Sequence, residues 1–470
     1  MSKLKQAGLI CAGLLGGILI SLQFSAQAER DVQSKLPVEE LRTFAEVFNA
    51  IKQGYVEPVE DKKLITHAVS GMLSNLDPHS SYLDADAFKD LQTSTQGEFG
   101  GLGLEVGMED GLVKVISPIE DTPAYRAGVK AGDLIFKLDD RLVKGMTLTE
   151  AVKVMRGKPR TQIRLSILRK GEPQPIEITL TREIIKVQSV KSKRVDEYYG
   201  YLRITSFQEN TAPSVVKHLG DLYKDGSLKG LVLDLRNDPG GLLHSAIGVS
   251  AAFLPYGTLV TSTDGRVPDA KHQYYVNPED YLRGGGREDF IRSIPVEALK
   301  VPMVVLINGG SASASEIVAG ALQDHRRAVI MGTPSFGKGS VQTIIPLPGG
   351  TAIKLTTARY FTPSGRSIQA KGIDPDIAVE EMPNGGSPAR LREADLINHL
   401  ENSENQEAPA RPQTGAPAKQ APAREKDEPR NQDGEGGGFE PPGRELASKK
   451  DYQLNQALNL LKGLQIIQGR

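Results

Sequence analysis

The sequence predicts an α/β protein with a larger core around a partly parallel sheet and a small domain of short strands before it. Two observations support this. From Tyr199 onward, apolar runs such as GLVLDLR and VPMVVLI alternate with helical segments, and that alternation is typical of α/β domains. Between Gly97 and Arg182 the apolar runs are short and broken by glycine, with TLTEAVKVMRG as a helical stretch between the last two.

The N-terminal 28 residues predict export. MSKLK supplies a basic start, AGLICAGLLGGILI an apolar segment and Ala26-Gln27-Ala28 a small-residue cleavage pattern, which together are typical of a signal peptide over residues 1–28. An uncleaved membrane anchor is the alternative. The chain of 470 residues, 24% charged with a net charge of −1, gives no reason to expect nucleic acid as a partner.

Cysteine chemistry is excluded by composition. The single cysteine, Cys11, lies within the apolar segment of the predicted signal, so the exported chain would contain no disulfide. Catalysis by a thiol and zinc binding by cysteines are therefore not expected. No cofactor is expected, and since no histidine has a partner at metal-ligand spacing, no metal site is expected either.

Apolar stripes at both ends predict helices that associate. In the N-terminal helical region, residues 29–96, Leu41, Phe44, Phe48 and Ile51 repeat at helical spacing, and a second helical stretch stops at Asp77-Pro78. Residues 386–445, rich in proline and charge, are predicted to be a disordered linker. Beyond it, residues 446–470 carry the stripe Tyr452, Leu454, Leu458, Leu461 and Leu464. We expect this C-terminal helix to dock on another subunit or another protein.

A serine nucleophile is indicated by NGGSASASEIVAG, which follows the apolar run VPMVVLI and opens a helix. Backbone N–H groups at a helix start can stabilise an oxyanion. The sequence contains neither a GxSxG elbow nor an HExxH metal motif, and its seven histidines are better explained as surface or core residues than as a base; His325, for example, lies about three turns along the same helix and points away from its start. The candidate base is Lys338, between two glycines in GTPSFGKG, with Gln342 four residues later. A lysine base must be desolvated, because its ordinary pKa is about 10.4.

The same segment offers a second interpretation, a phosphate loop. Gly332 and Gly337-Lys338 match the spacing GxxxxGK after a strand, but Gly339 replaces the serine or threonine that would hold magnesium. The following SVQTIIPL is predicted to be a strand, so no helix N-terminus would face the phosphates. Nucleotide binding is therefore a remote alternative.

Taken together, SASASEIVAG, TPSFGKGSVQ and the upstream DLRNDPGGLL resemble the carboxy-terminal processing peptidases, serine proteases with a Ser–Lys dyad, over about residues 40–380. The resemblance implies Ser313 as nucleophile, Lys338 as base and Gln342 as the residue that orients the base. It further implies oxyanion donors from Ala314 and from Gly240 or Gly241, although Pro239-Gly240-Gly241 could instead be only a tight turn. Ser311 would then shape the turn and Ser315 cap the helix. Asp238 replaces an asparagine common in the family, and we expect no consequence.

Residues 97–182 resemble a PDZ domain, with Gly101-Leu102-Gly103-Leu104 as the loop that binds a carboxylate. Arg160 departs from the glycine usual in relatives. The resemblance implies a crotonase-like α/β protease core, residues 183–385, with the PDZ domain inserted before it.

The predicted function is an exported, periplasmic serine endopeptidase that captures C-terminal tails of proteins. The PDZ domain could gate the site, terminal helices could build a homo-oligomer, and an adaptor protein could take part. A non-catalytic PDZ scaffold is the rival interpretation.

Overall fold

The computed structural model describes residues 37–119, 121–283, 288–383, 390–402 and 446–468. The predicted signal peptide and most of the predicted linker lie outside these ranges. The described part of the chain divides into two compact units, with the boundary between Gly71 and Met72. In the described part of the chain, no helix has the length and apolar character needed to cross a membrane.

The first unit contains helix α1 (Val38–Gly54) and most of helix α2 (Asp61–Ser74). Acidic Glu39 and Glu40 in the first turn of α1 and Lys52 in its last turn complement the helix dipole. No residue of α1 is buried. Its predicted apolar stripe is present, yet Leu41 and Phe44 are 51% and 44% exposed.

The inserted domain is an antiparallel sheet with two helices. Its strands are β3 (Leu104–Glu109), β4 (Leu112–Pro118), β5 (Leu134–Leu138), β6 (Arg141–Leu142), β7 (Gln162–Leu168) and β8 (Ile176–Thr181). Helix α4 (Pro123–Arg126) is short, and helix α5 (Leu148–Met155) begins with a capping box between Thr147 and Glu150. The ribbon of β2 (Glu98–Gly101) and β9 (Glu183–Lys186) connects this domain to the rest of the unit.

The core is built on a six-stranded sheet in the order β10-β11-β12-β15-β16-β19. Its strands are β10 (Val190–Arg194), β11 (Tyr199–Ile204), β12 (Gly230–Asp234), β15 (Met303–Ile307), β16 (Val329–Gly332) and β19 (Ile377–Ala378). All pairs are parallel except β10–β11, which confirms the predicted α/β architecture. Helices α6 (Thr211–Tyr223), α7 (Leu243–Ala251) and α9 (Ala314–Asp324) contribute to the main hydrophobic cluster on one face.

A second, antiparallel sheet carries the segment that follows Lys338. It contains β1 (Ser81–Leu83), β18 (Thr351–Phe361), β13 (Leu259–Asp264), β14 (His272–Tyr275) and β17 (Ser340–Leu347). Helices α3 (Ala85–Gln96) and α8 (Pro278–Tyr281) and short 3-10 turns complete the unit. These turns are Pro268–Ala270, Phe290–Ser293, Val296–Leu299, Pro348–Gly350 and Glu393–Asp395.

The C-terminal helix α10 (Tyr452–Gln468) packs against this chain's own sheet. Leu454, Ala457, Leu458 and Leu461 are buried against Tyr201, Val232, Val304, Leu306 and Met331 on the second face of the sheet. The expectation that this helix docks on another subunit or protein is therefore wrong for its apolar stripe. The parallel strands are buried on both faces, and α10 supplies the cover that the second face requires.

Part of the predicted linker is also packed. Glu393 is completely buried, and Asn402, 6% exposed, donates a hydrogen bond to the main chain of Gln369. Residues 390–402 therefore belong to the folded unit. Composition alone could not indicate this, because polar groups rather than apolar side chains hold the segment.

Candidate active site

Ser313 lies at a sharp turn between a buried strand and a helix. Strand β15 ends at Ile307, and α9 starts at Ala314. Ser313 has φ 53° and ψ −110°, a backbone conformation that residues other than glycine rarely adopt. Such strain persists only where surrounding contacts impose it, and it is concentrated at functional sites. The prediction that Ser313 stands at the start of a helix is confirmed.

The neighbouring serines have structural contacts. Ser311 Oγ donates to the Leu235 carbonyl at 2.8 Å and accepts from the Asn308 N–H at 3.0 Å, so it shapes the turn as expected. Ser315 lies inside the helix, completely buried, and its Oγ donates to the Asp238 carbonyl at 3.0 Å. The expectation that Ser315 caps the helix is therefore wrong.

Glu316 connects the serine turn to the lysine loop. Its Oε2 accepts hydrogen bonds from the backbone N–H of Ser313 at 2.7 Å and of Lys338 at 2.9 Å. Its Oε1 accepts from Gly337 N–H and from Ser335 Oγ, both at 2.6 Å. Because one oxygen receives both N–H groups, the main chains of Ser313 and Lys338 must lie side by side. Burial raises the pKa of Glu316 to about 7, although these four hydrogen bonds act in the opposite direction.

Lys338 and Gln342 lie at the start of the second sheet. Lys338 is half-buried and precedes strand β17, so the predicted strand after it is confirmed and no helix N-terminus follows the loop. Gln342 lies at an irregularity of the β17–β18 register. Its Nε2 donates to Ser340 Oγ at 2.9 Å and to Thr356 Oγ1 at 3.3 Å.

The glycine turn after β12 touches the serine turn. Gly240 has φ 96°, and a Cβ added there would lie 2.9 Å from Ser313 Cβ and 2.8 Å from Ala314 N. Only glycine permits this approach. The Gly240 N–H donates to Asp238 Oδ1 at 2.9 Å. Among the described residues, the N–H groups of Gly241 and Ala314 have no hydrogen-bond partner.

Asp238 is completely buried beside this turn. Its Oδ2 has no hydrogen-bond partner within the described ranges, and burial raises its pKa well above the usual range. Asparagine at this position would not share this property. The substitution that we expected to be inconsequential thus places an ionisable group in the wall of the site.

The inserted domain also presents unpartnered backbone N–H groups. Gly103 has φ 77°, and its carbonyl accepts from Ile119 N–H at 2.8 Å and from Thr122 Oγ1 at 3.2 Å. The Leu102 carbonyl accepts from Ala124 N–H at 3.0 Å. In the part of the chain that the structure describes, the N–H groups of Leu102 and Gly103 have no partner. The loop Gly101–Leu104 is thus held by its carbonyl groups.

Several residues of the site were missed by sequence reasoning. Glu316 follows Ser313 at the S-x-x-E spacing of a capping box, and that signal could have identified it. Asp77, which accepts a hydrogen bond from the Gln342 partner Thr356, and His79 and Glu393, which lead through Gln369 to the Gly339 N–H, lie far from the motifs in sequence and gave no local signal. Over the described ranges, no group of three or more His, Cys, Asp or Glu side chains is placed to hold a metal ion.

Comparison with known proteins defines the class. The family model for peptidase family S41 matches residues 198–379, a PDZ domain model matches residues 100–180, and an N-terminal domain model of the activating protease CtpB matches residues 20–87. The chain is therefore a serine peptidase of family S41 with a PDZ domain, and the inserted domain is that PDZ domain.

Similar curated proteins identify the family more narrowly. The chain is 48% identical over 390 residues to a carboxy-terminal-processing protease of Bartonella bacilliformis, covering 82% of this chain and 86% of that protein. It is 35% identical to the carboxy-terminal processing protease CtpA of Bacillus subtilis, covering 71% and 67% of the two chains. The chain belongs to the carboxy-terminal processing peptidases. A solved photosystem II D1 C-terminal processing protease is 28% identical, with a TM-score of 0.41 and coverage of 72% and 92%.

Proposed function

We propose that this peptidase is an exported endopeptidase that cuts the C-terminal tails of proteins with a Ser313–Lys338 dyad. The observation that carries the proposal is the shared acceptor, Glu316 Oε2, which binds the backbone N–H groups of both residues. A nucleophile and its base must be within hydrogen-bond reach in the working site. Because Glu316 Oε2 binds both backbone N–H groups, it holds the main chains of Ser313 and Lys338 close together. The strained turn fixes the serine in place, and both features support a hydrogen bond between the two side chains.

The reaction follows from these positions. Ser313 Oγ attacks the carbonyl carbon of the scissile peptide while its proton passes to the neutral amine of Lys338. The C–N bond then breaks, the leaving amine takes the proton from Lys338, and an acyl-enzyme remains. A water molecule then attacks the ester carbonyl carbon while its proton passes to Lys338. The bond between that carbon and Ser313 Oγ breaks, Oγ takes the proton from Lys338, and the new C-terminal carboxyl group is released. Gln342 would hold the amine in the orientation that this transfer needs.

For the oxyanion we propose the N–H groups of Ala314 and Gly241. Ala314 is the first residue of α9, so its N–H lies at the positive end of the helix dipole. Gly240 is the poorer candidate, because its N–H already donates to Asp238 Oδ1. Its missing side chain instead lets the turn lie against Ser313. Each such donor is worth a factor of about 100 to 1,000 in kcat.

We propose that the PDZ domain holds the substrate's C-terminus. The N–H groups of Leu102 and Gly103 would bind the terminal carboxylate, and the tail would add a strand along β3.

We further propose that the PDZ domain gates the active site, because backbone hydrogen bonds connect the start of the PDZ domain to the glycine turn beside Ser313. The N–H of Glu209 donates to the Thr95 carbonyl before β2, and the nearby Phe207 N–H donates to the Gly240 carbonyl.

The predicted signal peptide, residues 1–28, is the basis for proposing export to the periplasm. The similar carboxy-terminal processing proteases are bacterial. We also propose that the chain forms a homo-oligomer through the N-terminal helix α1 and that an adaptor protein takes part in its function.

The decisive experiment replaces the base. Arginine stays protonated in proteins, so Lys338→Arg and Lys338→Ala should both be inactive on a tail peptide at every pH, with unchanged circular dichroism. Ser313→Ala should be equally inactive, while Lys300→Ala, at an exposed position, should match the parent. In the parent, activity should rise with pH as the amine is deprotonated. Turnover of Lys338→Ala within about tenfold of the parent, or about 1.4 kcal/mol of barrier, would rule out the dyad.

A further inference from the structure

The segment from Asp77 to Ser80, far from the catalytic motifs in sequence, lies against the strand that pairs with Gln342. Asp77 and Ser80 are only 3% and 4% exposed. Strand β1, which follows directly, pairs antiparallel with β18, with Ser81 opposite Lys354. Gln342 in turn lies opposite Thr356 of β18. Strand β18 therefore separates the Asp77 segment from the glutamine of the proposed site.

Asp77 and Ser80 together enclose Thr356. The Asp77 carboxylate accepts from Thr356 Oγ1 at 3.0 Å and from Ser80 Oγ at 2.6 Å. It also accepts from the backbone N–H groups of His79 and Ser80, at 2.9 and 3.0 Å. Ser80 Oγ accepts from the Thr356 N–H at 3.1 Å. Each hydroxyl proton on this side is thus directed toward the carboxylate.

The direction of these bonds determines how Gln342 is oriented. A carboxylate only accepts hydrogen bonds, so the proton of Thr356 is committed to Asp77 and Thr356 Oγ1 can only accept from Gln342. The Gln342 Nε2 makes that bond, at 3.3 Å, and makes a second bond to Ser340 Oγ at 2.9 Å. Both N–H groups of the amide are then used. Its Oε1, the acceptor end, must point away from Thr356.

A second chain of bonds from the same segment reaches the residue after Lys338. His79 Nε2 lies 2.8 Å from Glu393 Oε2, and Glu393 Oε1 accepts from Gln369 Nε2 at 2.8 Å. Gln369 Oε1 accepts from the Gly339 N–H at 3.0 Å. Gln369 and Glu393 are completely buried. Two hydrogen-bond chains that both begin between residues 77 and 80 therefore end just after Lys338 in the sequence, one at Gly339 and one at Gln342.

We infer that Asp77 is a positioning residue for the proposed base: acting through Thr356, it fixes the Gln342 amide so that Oε1 faces the Lys338 amine. The inference rests on the proposed dyad. A neutral amine that donates one N–H to Oε1 keeps its lone pair for the serine proton. The ammonium formed in the transfer is stabilised by the same oxygen.

Thr356 offers an isosteric test with a matched control on the next residue. Thr356→Val removes the hydroxyl, whereas Thr356→Ser keeps it. Thr357→Val makes the same change at the next residue, whose hydroxyl forms an exposed hydrogen bond with the Thr343 hydroxyl. We expect Thr356→Val and Asp77→Asn to lower kcat about 10- to 100-fold with little change in KM, because the base is misplaced while substrate binding is untouched. Thr356→Ser and Thr357→Val should stay near the parent.

The pH profile distinguishes positioning from general damage. If the amide no longer presents Oε1, the ammonium of Lys338 is less stabilised, and the acidic limb of kcat should move to lower pH in Thr356→Val. A loss of kcat without that shift, or an equal loss in Thr357→Val, would overturn the inference. If Lys338→Ala is inactive while Thr356→Val keeps the parental kcat and profile, the inference fails and the dyad stands. Activity in Lys338→Ala would refute the dyad itself. Should Asp77→Asn fail to fold, the Thr356 series still decides.

Discussion

The two terminal helices have the same sequence pattern and opposite environments. Both α1 and α10 span 17 residues with apolar side chains at helical spacing. No residue of α1 is buried, whereas four apolar residues of α10 lie in a hydrophobic cluster with the central sheet. Polar contacts differ in the same way. The Lys52–Asp61 pair at the end of α1 is exposed, whereas Asp451, directly before α10, pairs with the buried Arg236.

The difference shows that an apolar stripe predicts burial but not the identity of the partner. For α10 the missing information lay elsewhere in the sequence. GLVLD and MVVLI are apolar at consecutive positions, which indicates strands buried on both faces. Leu231 and Leu233 face the main cluster, and Val232 between them faces α10. A sheet of this kind needs a second cover, and the C-terminal stripe is the element that provides it.

The largest expected effect is the loss of α10. Deleting residues 446–468 would expose the second face of the sheet and remove the partners Asp451 and Gln453 from Arg236. Arg236 keeps its pair with Asp234, so the main loss is the burial of the apolar face, where each large apolar side chain contributes about 1.5–3 kcal/mol. We expect the deleted protein to be unfolded or aggregated by circular dichroism and size-exclusion chromatography. Deletion of residues 38–54 is the matched control and should leave the unfolding temperature of the core unchanged. A folded, monodisperse product of the first deletion would contradict this assignment.

A second test measures how stability depends on pH through the buried ion pairs of Asp234 with Arg203 and Arg236, which lie beneath α10. Burial would raise the pKa of Asp234, but Arg236 and Arg203 hold it well below its usual range. A lowered folded-state pKa stabilises the protein fully above the unfolded pKa of about 3.9; this stabilisation decreases as pH falls below that value and is lost once pH has fallen through the folded-state pKa. Asp234→Asn should therefore cost about 3–5 kcal/mol at neutral pH. Its deficit in the free energy of unfolding should shrink as pH falls below about 4. Urea titrations between pH 3 and 7 measure this, and a constant deficit would contradict the role of charge.

Leucine truncation compares the two stripes directly. Leu461 is completely buried, and Leu41 is 51% exposed. Leu461→Ala should lower the free energy of unfolding by about 2–5 kcal/mol, since it leaves a cavity under the sheet. Leu41→Ala should change it by no more than about 0.5 kcal/mol. Equal effects in urea denaturation would mean that α1 is covered in solution as α10 is.

The local features of the site could be predicted from sequence, but the distant residues that hold the catalytic residues in place could not. Small residues after an apolar strand indicated the turn at Ser313, and two glycines indicated a close backbone approach at Lys338, which is half-buried between the buried Gly337 and Gly339. The contact between Asp77 and Thr356 joins positions 279 residues apart. It depends on which strands pair, and no periodicity or spacing contains that information. Glu316 is the intermediate case, since its spacing predicts a cap but not the bond to Lys338.

The smallest effect on stability is expected at the exposed face of α1. Phe44 is 44% exposed and Val47 53% exposed, on a helix without a buried residue. We predict that a second copy of the chain covers this face, since exposed apolar patches commonly mark protein contacts. Phe44→Ser should then lower the assembled mass measured by light scattering, while the unfolding temperature of the core stays near the parental value. Arg42→Ser, on the same helix and paired with exposed Glu46, is the matched control and should assemble as the parent does. An unchanged mass for Phe44→Ser would mean that the stripe of α1 does not hold the assembly together.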